Sequence, residues 1–326
     1  MENIFSYGVT WNVLFQNLDG WLKTPMEIFS FFGNEYFFLL LLPALYWCIE
    51  ARLGLRVGII LLLSTSLNDA LKMVFHAPRP YWVSSEVIGY ARETSFGVPS
   101  GHAQIAAGVW GMLAVGLRKW WAWVIVILLI LLIGISRLYL GVHFLQDVVA
   151  GWIIGALLLL LVLGVWKPVV GWCKKVSPGQ QILLSFLSSL VFILISLVPF
   201  LWLKNTNWQA PSPWAQYAQE AVTLSGSFTT AGTFFGLLAG LIWLSNRGGF
   251  DARGTPRERI LRYLLGLLGV LLFYFGLKIL FGIISPESEA VLPYILRYIR
   301  YVLVGAWVSA GAPWIFIKLK LARKAA

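Results

Sequence analysis

The sequence predicts an all-α, polytopic membrane protein. Three observations carry that prediction: 59% of the 326 residues are hydrophobic, only 12% are charged, and the apolar residues gather in long runs. A soluble domain carries roughly 25% charged residues, and about 18 consecutive apolar residues suffice for a spanning helix. Inside a bilayer the backbone must satisfy its own hydrogen bonds, so such runs are read as helices.

The opening segment is too polar to span. In "WNVLFQNLDGWLKTPMEIFSFF", residues 11–32, Trp, Phe and Leu alternate with Asn, Asp and Lys. That mixture predicts an N-terminal interfacial amphipathic segment over residues 1–34, lying on the membrane surface. "MENIFSYGVT" lacks the basic start of a secretory signal and is read as part of the mature chain. About nine transmembrane helices follow, at 35–51, 55–75, 102–117, 120–136, 143–165, 180–203, 223–245, 262–284 and 291–317. The expected division is the segment 1–34, a core at 35–175 and an additional four-helix membrane segment at 176–326.

The net charge of +11 does not imply nucleic acid, because the basic residues form no continuous patch. They sit in short clusters between the apolar runs. One set of loops carries Arg52 and Arg56, Arg118 and Lys119, Lys167 with Lys174 and Lys175, and the loop "NRGGFDARGTPRER". Lys318, Lys320, Arg323 and Lys324 continue it in the C-terminal tail. The alternate loops are poorer in Lys and Arg and include the acidic "SPESEA". Positive loops stay in the cytoplasm. The expected topology therefore has the N-terminus outside and the C-terminus cytoplasmic. Cys48 and Cys173 form neither a metal spacing nor an expected disulfide.

Three stretches fall on the expected extracytoplasmic side. The first is "LKMVFHAPRPYW", with Lys72 and Arg79 seven residues apart; the second is "FGVPSGHAQIAAG", with Ser100, Gly101 and His102. The third is "SRLYLGVHFLQD", with Arg137, His143 and Asp147. Planar Arg79 and Arg137 forks match phosphate oxygens, and Lys72 adds a compact charge. "PSGH" reads as a helix start, with Ser100 as N-cap and Gly101 allowing close backbone approach to an anion. His143 and Asp147, at i and i+4, share one helical face, where the aspartate fixes the imidazole tautomer and frees the other nitrogen as a nucleophile. His102, from another helix, can donate a proton to a leaving oxygen. An isolated Arg137 at a helix end would read as a snorkelling residue; the three stretches together make it a site residue.

These stretches resemble the three motifs of the type 2 phosphatidate phosphatase and vanadium haloperoxidase superfamily: K-x6-RP, PSGH and SR-x5-H-x3-D. All three are complete and in order. "GNEYFFLLLLPALYW" also resembles the first core helix of the sphingosine 1-phosphate phosphatase-like branch. The resemblance covers roughly residues 34–165. It implies a metal-independent hydrolase of a lipid phosphate or pyrophosphate, without cofactor. In it His143 attacks phosphorus to form a phosphohistidine, Asp147 orients it, and His102 protonates the leaving alkoxide. Lys72, Arg79, Ser100, Gly101 and Arg137 hold the phosphoryl oxygens. The expected substrate is a phospholipid, isoprenyl or sphingoid phosphate, met at the outer membrane face among membrane lipids. Two alternatives remain open: a phosphotransferase using a second lipid as acceptor, and a lipid transporter with a vestigial core.

His76 lies in the first motif at no required position and reads as structural. Glu35, Asn68 and Asp69 read as supporting partners or solvated helix ends, and Lys278 as snorkelling outward. The last four helices are rich in small residues, as in "TLSGSFTTAGTFFGLLAG". That composition suits close packing, in a homodimer or as a groove wall. These helices are not expected to do chemistry, so a core cut after Lys175 is expected to keep short-chain activity.

Overall fold

A computed structural model describes residues 2–18, 20–285 and 291–325; the "SPESEA" loop beyond Ser285 lies outside the described residues. The helices are α1 (Glu2–Gln16), α2 (Lys23–Phe31), α3 (Glu35–Ala44, continued to Ile49 by a π turn), α4 (Ala51–Phe75) and α5 (Pro80–Val83). Then come α6 (Gly101–Leu117), α7 (Trp120–Tyr139), α8 (Leu145–Cys173) and α9 (Pro178–Asn205). The last are α10 (Ala215–Ala221), α11 (Ser225–Ser245), α12 (Pro256–Ile284) and α13 (Val291–Lys318). Among the described residues the only β pairing is an isolated bridge between Asp251 and Arg323.

Each predicted span is helical, but the count of nine does not carry over. Seven helices among the described residues are long and apolar enough to cross a membrane, and the bent pair Gly20–Phe31 and Glu35–Ile49 makes an eighth if taken as one span. The shorter helix α6 falls below that length. At about 1.5 Å per residue it reaches only some 25 Å, less than the ~30 Å hydrocarbon layer.

The chain packs as two compact units. The first comprises Met1–Phe38, Leu63–Leu163 and Ser196–Thr223; the second comprises Leu39–Leu62, Gly164–Ile195 and Leu224–Ala326. A boundary after residue 175 does not separate them. The end of α9, the following loop and α10 belong with the three motifs.

In the first unit, α8 lies against α6 because its glycines leave room. A Cβ at Gly151 would sit 2.6 Å from the Ser100 carbonyl oxygen, and one at Gly155 would sit 2.3 Å from that of Gln104. This close approach joins the second motif to the third. The N-terminal segment is also more than a surface layer. Gly8 meets the Phe144 ring, with a Cβ there only 2.4 Å away. Asn12, fully buried, donates through Nδ2 to the carbonyls of Leu138 at 2.8 Å and His143 at 3.0 Å. Gln16 donates to Ile88 and Tyr139. The polar side of α1 therefore faces inward, where loop carbonyls need donors, while Tyr7, Trp11, Leu14 and Leu18 are exposed.

The second unit uses its small residues internally. Cβ atoms at Gly232 and Gly236 of α11 would meet the carbonyl oxygens of Tyr298 and Val302 on α13 at 2.4 and 2.0 Å. Those two glycines are thus packed within the chain. A core of Trp47, Phe250, Val270, Val304 and Phe316 packs beside them.

Candidate active site

The third motif is organised by a helix start. Arg137 lies in the last turn of α7, where the helix dipole favours a cation. It is 2% exposed; Nη1 donates to Ser30 Oγ at 2.5 Å and Nη2 to Glu93. The arginine is therefore held inside and does not snorkel. His143 lies in the turn ahead of α8 and Asp147 in its first turn, so the pair meets across the helix start rather than on one helical face. Asp147 Oδ2 accepts the Phe144 backbone N–H at 2.9 Å, as the acidic member of a capping box does. The same oxygen faces His143 Nδ1 at 3.4 Å.

The tautomer follows from the other ring nitrogen. Arg79 Nη1 lies 3.2 Å from His143 Nε2. A guanidinium only donates, so Nε2 accepts and the proton sits on Nδ1, toward Asp147. Burial pushes the His143 pKa well below its ordinary value, and the positive charges of Arg79, Arg137 and Lys72 push it the same way. The imidazole is accordingly neutral near pH 7, and the Nε2 lone pair that accepts from Arg79 is the one a phosphorus atom would have to take over.

The first motif is knitted by the loop that follows it. Lys72, on α4, donates through Nζ to Ser95 Oγ at 2.7 Å. Arg79, fully buried ahead of α5, donates to the Ser95 carbonyl at 2.7 Å, Ser95 Oγ at 3.1 Å, the Phe96 carbonyl at 3.2 Å and the Val142 carbonyl at 2.8 Å. Glu93 comes from the same loop. Burial alone would raise its carboxyl pKa, but Arg137, Arg79, His102 and Lys72 outweigh that and hold it far below the usual carboxylate range.

The second motif supplies unsatisfied atoms. Ser100 is the residue ahead of α6, yet its hydroxyl makes no capping hydrogen bond. Its backbone N–H instead donates to the Asp147 carbonyl at 2.9 Å. Ser100 Oγ, His102 Nε2, Asp147 Oδ1 and Arg137 Nε are all buried without a hydrogen-bond partner. Buried polar atoms are rarely left so, and these four, two in the second motif and two in the third, mark a place suited to a polar ligand. A side chain at Gly101 would crowd Asn68 Oδ1 at 3.0 Å. Asn68 is buried and donates to the Pro99 carbonyl and Gln104 Oε1, so it braces the PSGH turn.

Eight sequence-predicted residues, Lys72, Arg79, Ser100, Gly101, His102, Arg137, His143 and Asp147, thus belong to one unit, in which Arg79 meets His143 and Ser100 meets Asp147 across motifs. Sequence reasoning missed Glu93, Ser95, Ser30 and Asn12. Glu93 had one signal, an acidic residue between two basic motifs, but Glu86 in the same loop carries it equally. His76 has a structural setting: its ring packs on Trp208 at 4.9 Å and Trp202 at 5.8 Å. Lys278 is exposed.

The segment after α9 roofs the first motif with aromatic rings. Tyr217 stacks on Trp82 at 5.2 Å with a 7° interplanar angle, and Trp214 stacks on it at 6.1 Å. Trp82 in turn faces the Arg79 guanidinium at 5.9 Å. Arg92 pairs with Glu220 at 2.8 Å. A chain cut after Lys175 lacks all of these partners.

A histidine–aspartate pair beside two buried arginines, with half-buried Lys72 in the same unit and helices suited to a bilayer, gives the class: an integral membrane protein with a buried cationic site. Residues 53–169 match the model of the PAP2 superfamily, and residues 228–324 match the PAP2 superfamily phosphatase transmembrane extension. The chain is 31% identical to phosphatidylglycerophosphatase B of Bacillus subtilis (strain 168) over 157 residues, covering 44% of this chain and 75% of that protein. It is 26% identical to glucose-6-phosphatase 3 of Bos taurus, over 97% of this chain and 96% of that one. The crystal structure of the first transmembrane PAP2 type phosphatidylglycerolphosphate phosphatase from Bacillus subtilis has 27% sequence identity and a TM-score of 0.46, covering 52% of this chain and 89% of that one. The chain belongs to the PAP2 superfamily, and these relatives support a phosphatase activity.

Proposed function

We propose that this protein is a membrane lipid phosphatase that works through a phosphohistidine on its extracytoplasmic face. The observation that carries the reading is the meeting of His143 and Asp147 with Arg79, next to unpartnered Ser100 and His102. His143 Nε2 attacks phosphorus, the bond from phosphorus to the leaving oxygen breaks, and protonated His102 gives that oxygen its proton. Water then attacks the phosphohistidine, His102 takes the water's proton, and the phosphorus–nitrogen bond breaks to release phosphate. Asp147 keeps the His143 proton on Nδ1 and stabilises the positive ring while the intermediate lasts. Lys72, Arg79 and Arg137 neutralise the phosphoryl charge that a divalent cation carries in other phosphatases. The outer-face assignment rests on the Lys/Arg asymmetry of the loops.

A second reading has its own support. The alignment with glucose-6-phosphatase 3 runs nearly end to end, whereas that with phosphatidylglycerophosphatase B is confined to 44% of the chain. A water-soluble sugar phosphate is therefore the alternative substrate class. One experiment tests both: phosphate release by the purified full chain from phosphatidate, phosphatidylglycerol phosphate, isoprenyl pyrophosphate, a sphingoid phosphate and glucose 6-phosphate, with and without EDTA. Turnover of a lipid phosphate that survives EDTA is expected. Exclusive turnover of the sugar phosphate selects the second reading, and strict dependence on a divalent cation contradicts the mechanism.

A further inference from the structure

The cationic cluster already contains a carboxylate. Glu93 accepts a hydrogen bond from Arg137 Nη2, and its other oxygen lies 3.8 Å from Arg79 Nη2. Its backbone is pinned independently: the Tyr81 hydroxyl accepts the Glu93 N–H at 3.2 Å and donates to the Glu93 carbonyl at 3.3 Å. The preceding Arg92 turns away to Glu220. The Glu93 side chain thus brings its negative charge to the two arginines from a fixed backbone.

Two features argue against a simple brace. Arg79 does not need Glu93 for its position, because Ser95, Phe96 and Val142 already hold its Nε, Nη1 and Nη2. The Glu93 side chain is also 24% exposed, whereas those of Arg79 and Arg137 are 0% and 2% exposed. The carboxylate has solvent to retreat into; the guanidinium groups do not.

We propose that Glu93 is a specificity-determining residue whose carboxylate occupies the anion position between Arg137 and Arg79, so that an incoming phosphoryl group must displace it. The inference rests on reading the cluster as the phosphate site. A tethered carboxylate competes at high effective concentration. Free orthophosphate has only its own oxygens with which to compete. A phosphate ester adds the binding of its alcohol portion, which offsets the displacement. Glu93 therefore biases the site toward esters over free phosphate and returns as product phosphate leaves.

The test is Glu93→Gln in the full chain, which removes the charge and keeps the shape. Its readout is inhibition by inorganic phosphate and by vanadate, each relative to the KM for the ester. The inhibition constant for phosphate should fall about tenfold or more relative to wild type, since hydrogen bonds to charged groups are the strong ones. Glu93→Asp, which keeps the charge on a shorter arm, should fall between the two. A brace predicts the opposite sign: without it both guanidinium groups loosen and phosphate binds more weakly. An unchanged or raised constant, in variants with wild-type thermal unfolding, overturns the inference. If vanadate does not inhibit the wild type and Arg137→Ala does not change turnover, the phosphate-site reading has failed, and the inference falls with it.

Discussion

Both compact units bury arginines, and they do so differently. In the second unit Arg262 is fully buried and donates to the carbonyls of Glu258, Asp251 and Arg253, with the Phe250 ring 5.8 Å away. Arg300 lies over the rings of Tyr274 and Tyr301, at 5.5 and 5.0 Å. Neutral carbonyls hold Arg262, while Arg300 rests on aromatic faces, its Nε buried without a hydrogen-bond partner. In the first unit Arg79 and Arg137 share a carboxylate, and Arg79 also touches the imidazole of His143. A buried arginine is thus no sign of a site by itself. What distinguishes the first unit is buried arginines that share a carboxylate and meet a histidine–aspartate pair.

The contrast can be broken with a matched pair of substitutions. Arg137→Ala should lower kcat/KM by about 10²–10³-fold, the usual effect of removing a preorganised donor from developing charge. Arg300→Ala should leave kcat/KM within about threefold and lower stability by about 0.5–2 kcal/mol, the range of a cation–π contact. Steady-state kinetics and thermal unfolding in the same detergent check both. Equal losses of activity in the two variants would erase the distinction between them.

A smaller effect sharpens the limits of the first unit. Tyr217 lies after residue 175, yet it stacks on Trp82, which faces Arg79. Tyr217→Ala should cost about 0.5–1.5 kcal/mol of stability, the value of an aromatic pair beyond burial. It should also raise KM by less than about tenfold, through a looser Arg79. Tyr217→Phe keeps the ring and should restore both. An alanine variant with unchanged KM would make the roof purely structural.

The motif residues were legible because their chemistry is carried by spacing: Lys72 to Arg79, the PSGH turn, and Arg137 to His143 to Asp147. The helices were legible because apolar runs in a bilayer have few other forms. The details that misled were three-dimensional. His143 and Asp147 at i and i+4 suggested one helical face, but the helix begins only at Leu145. The mixed polarity of residues 11–32 suggested a surface segment, and nothing local reveals that Asn12 reaches the His143 carbonyl. Arg92 and Glu93 are neighbours whose opposite destinations depend on a loop pinned by Tyr81. The return of Ser196–Thr223 to the first unit joins segments more than a hundred residues apart in sequence, which hydropathy cannot anticipate.

The central claim is that His143 is the nucleophile of a phosphate site assembled within the first unit. Rapid quench of the full chain with a turned-over ³²P-labelled phosphate ester tests it most directly. The account predicts an acid-labile, base-stable phosphoryl label on the peptide containing His143, absent in His143→Ala, which should also lose at least about 10⁴-fold in turnover. A label on another residue, or undiminished turnover in His143→Ala, would contradict it.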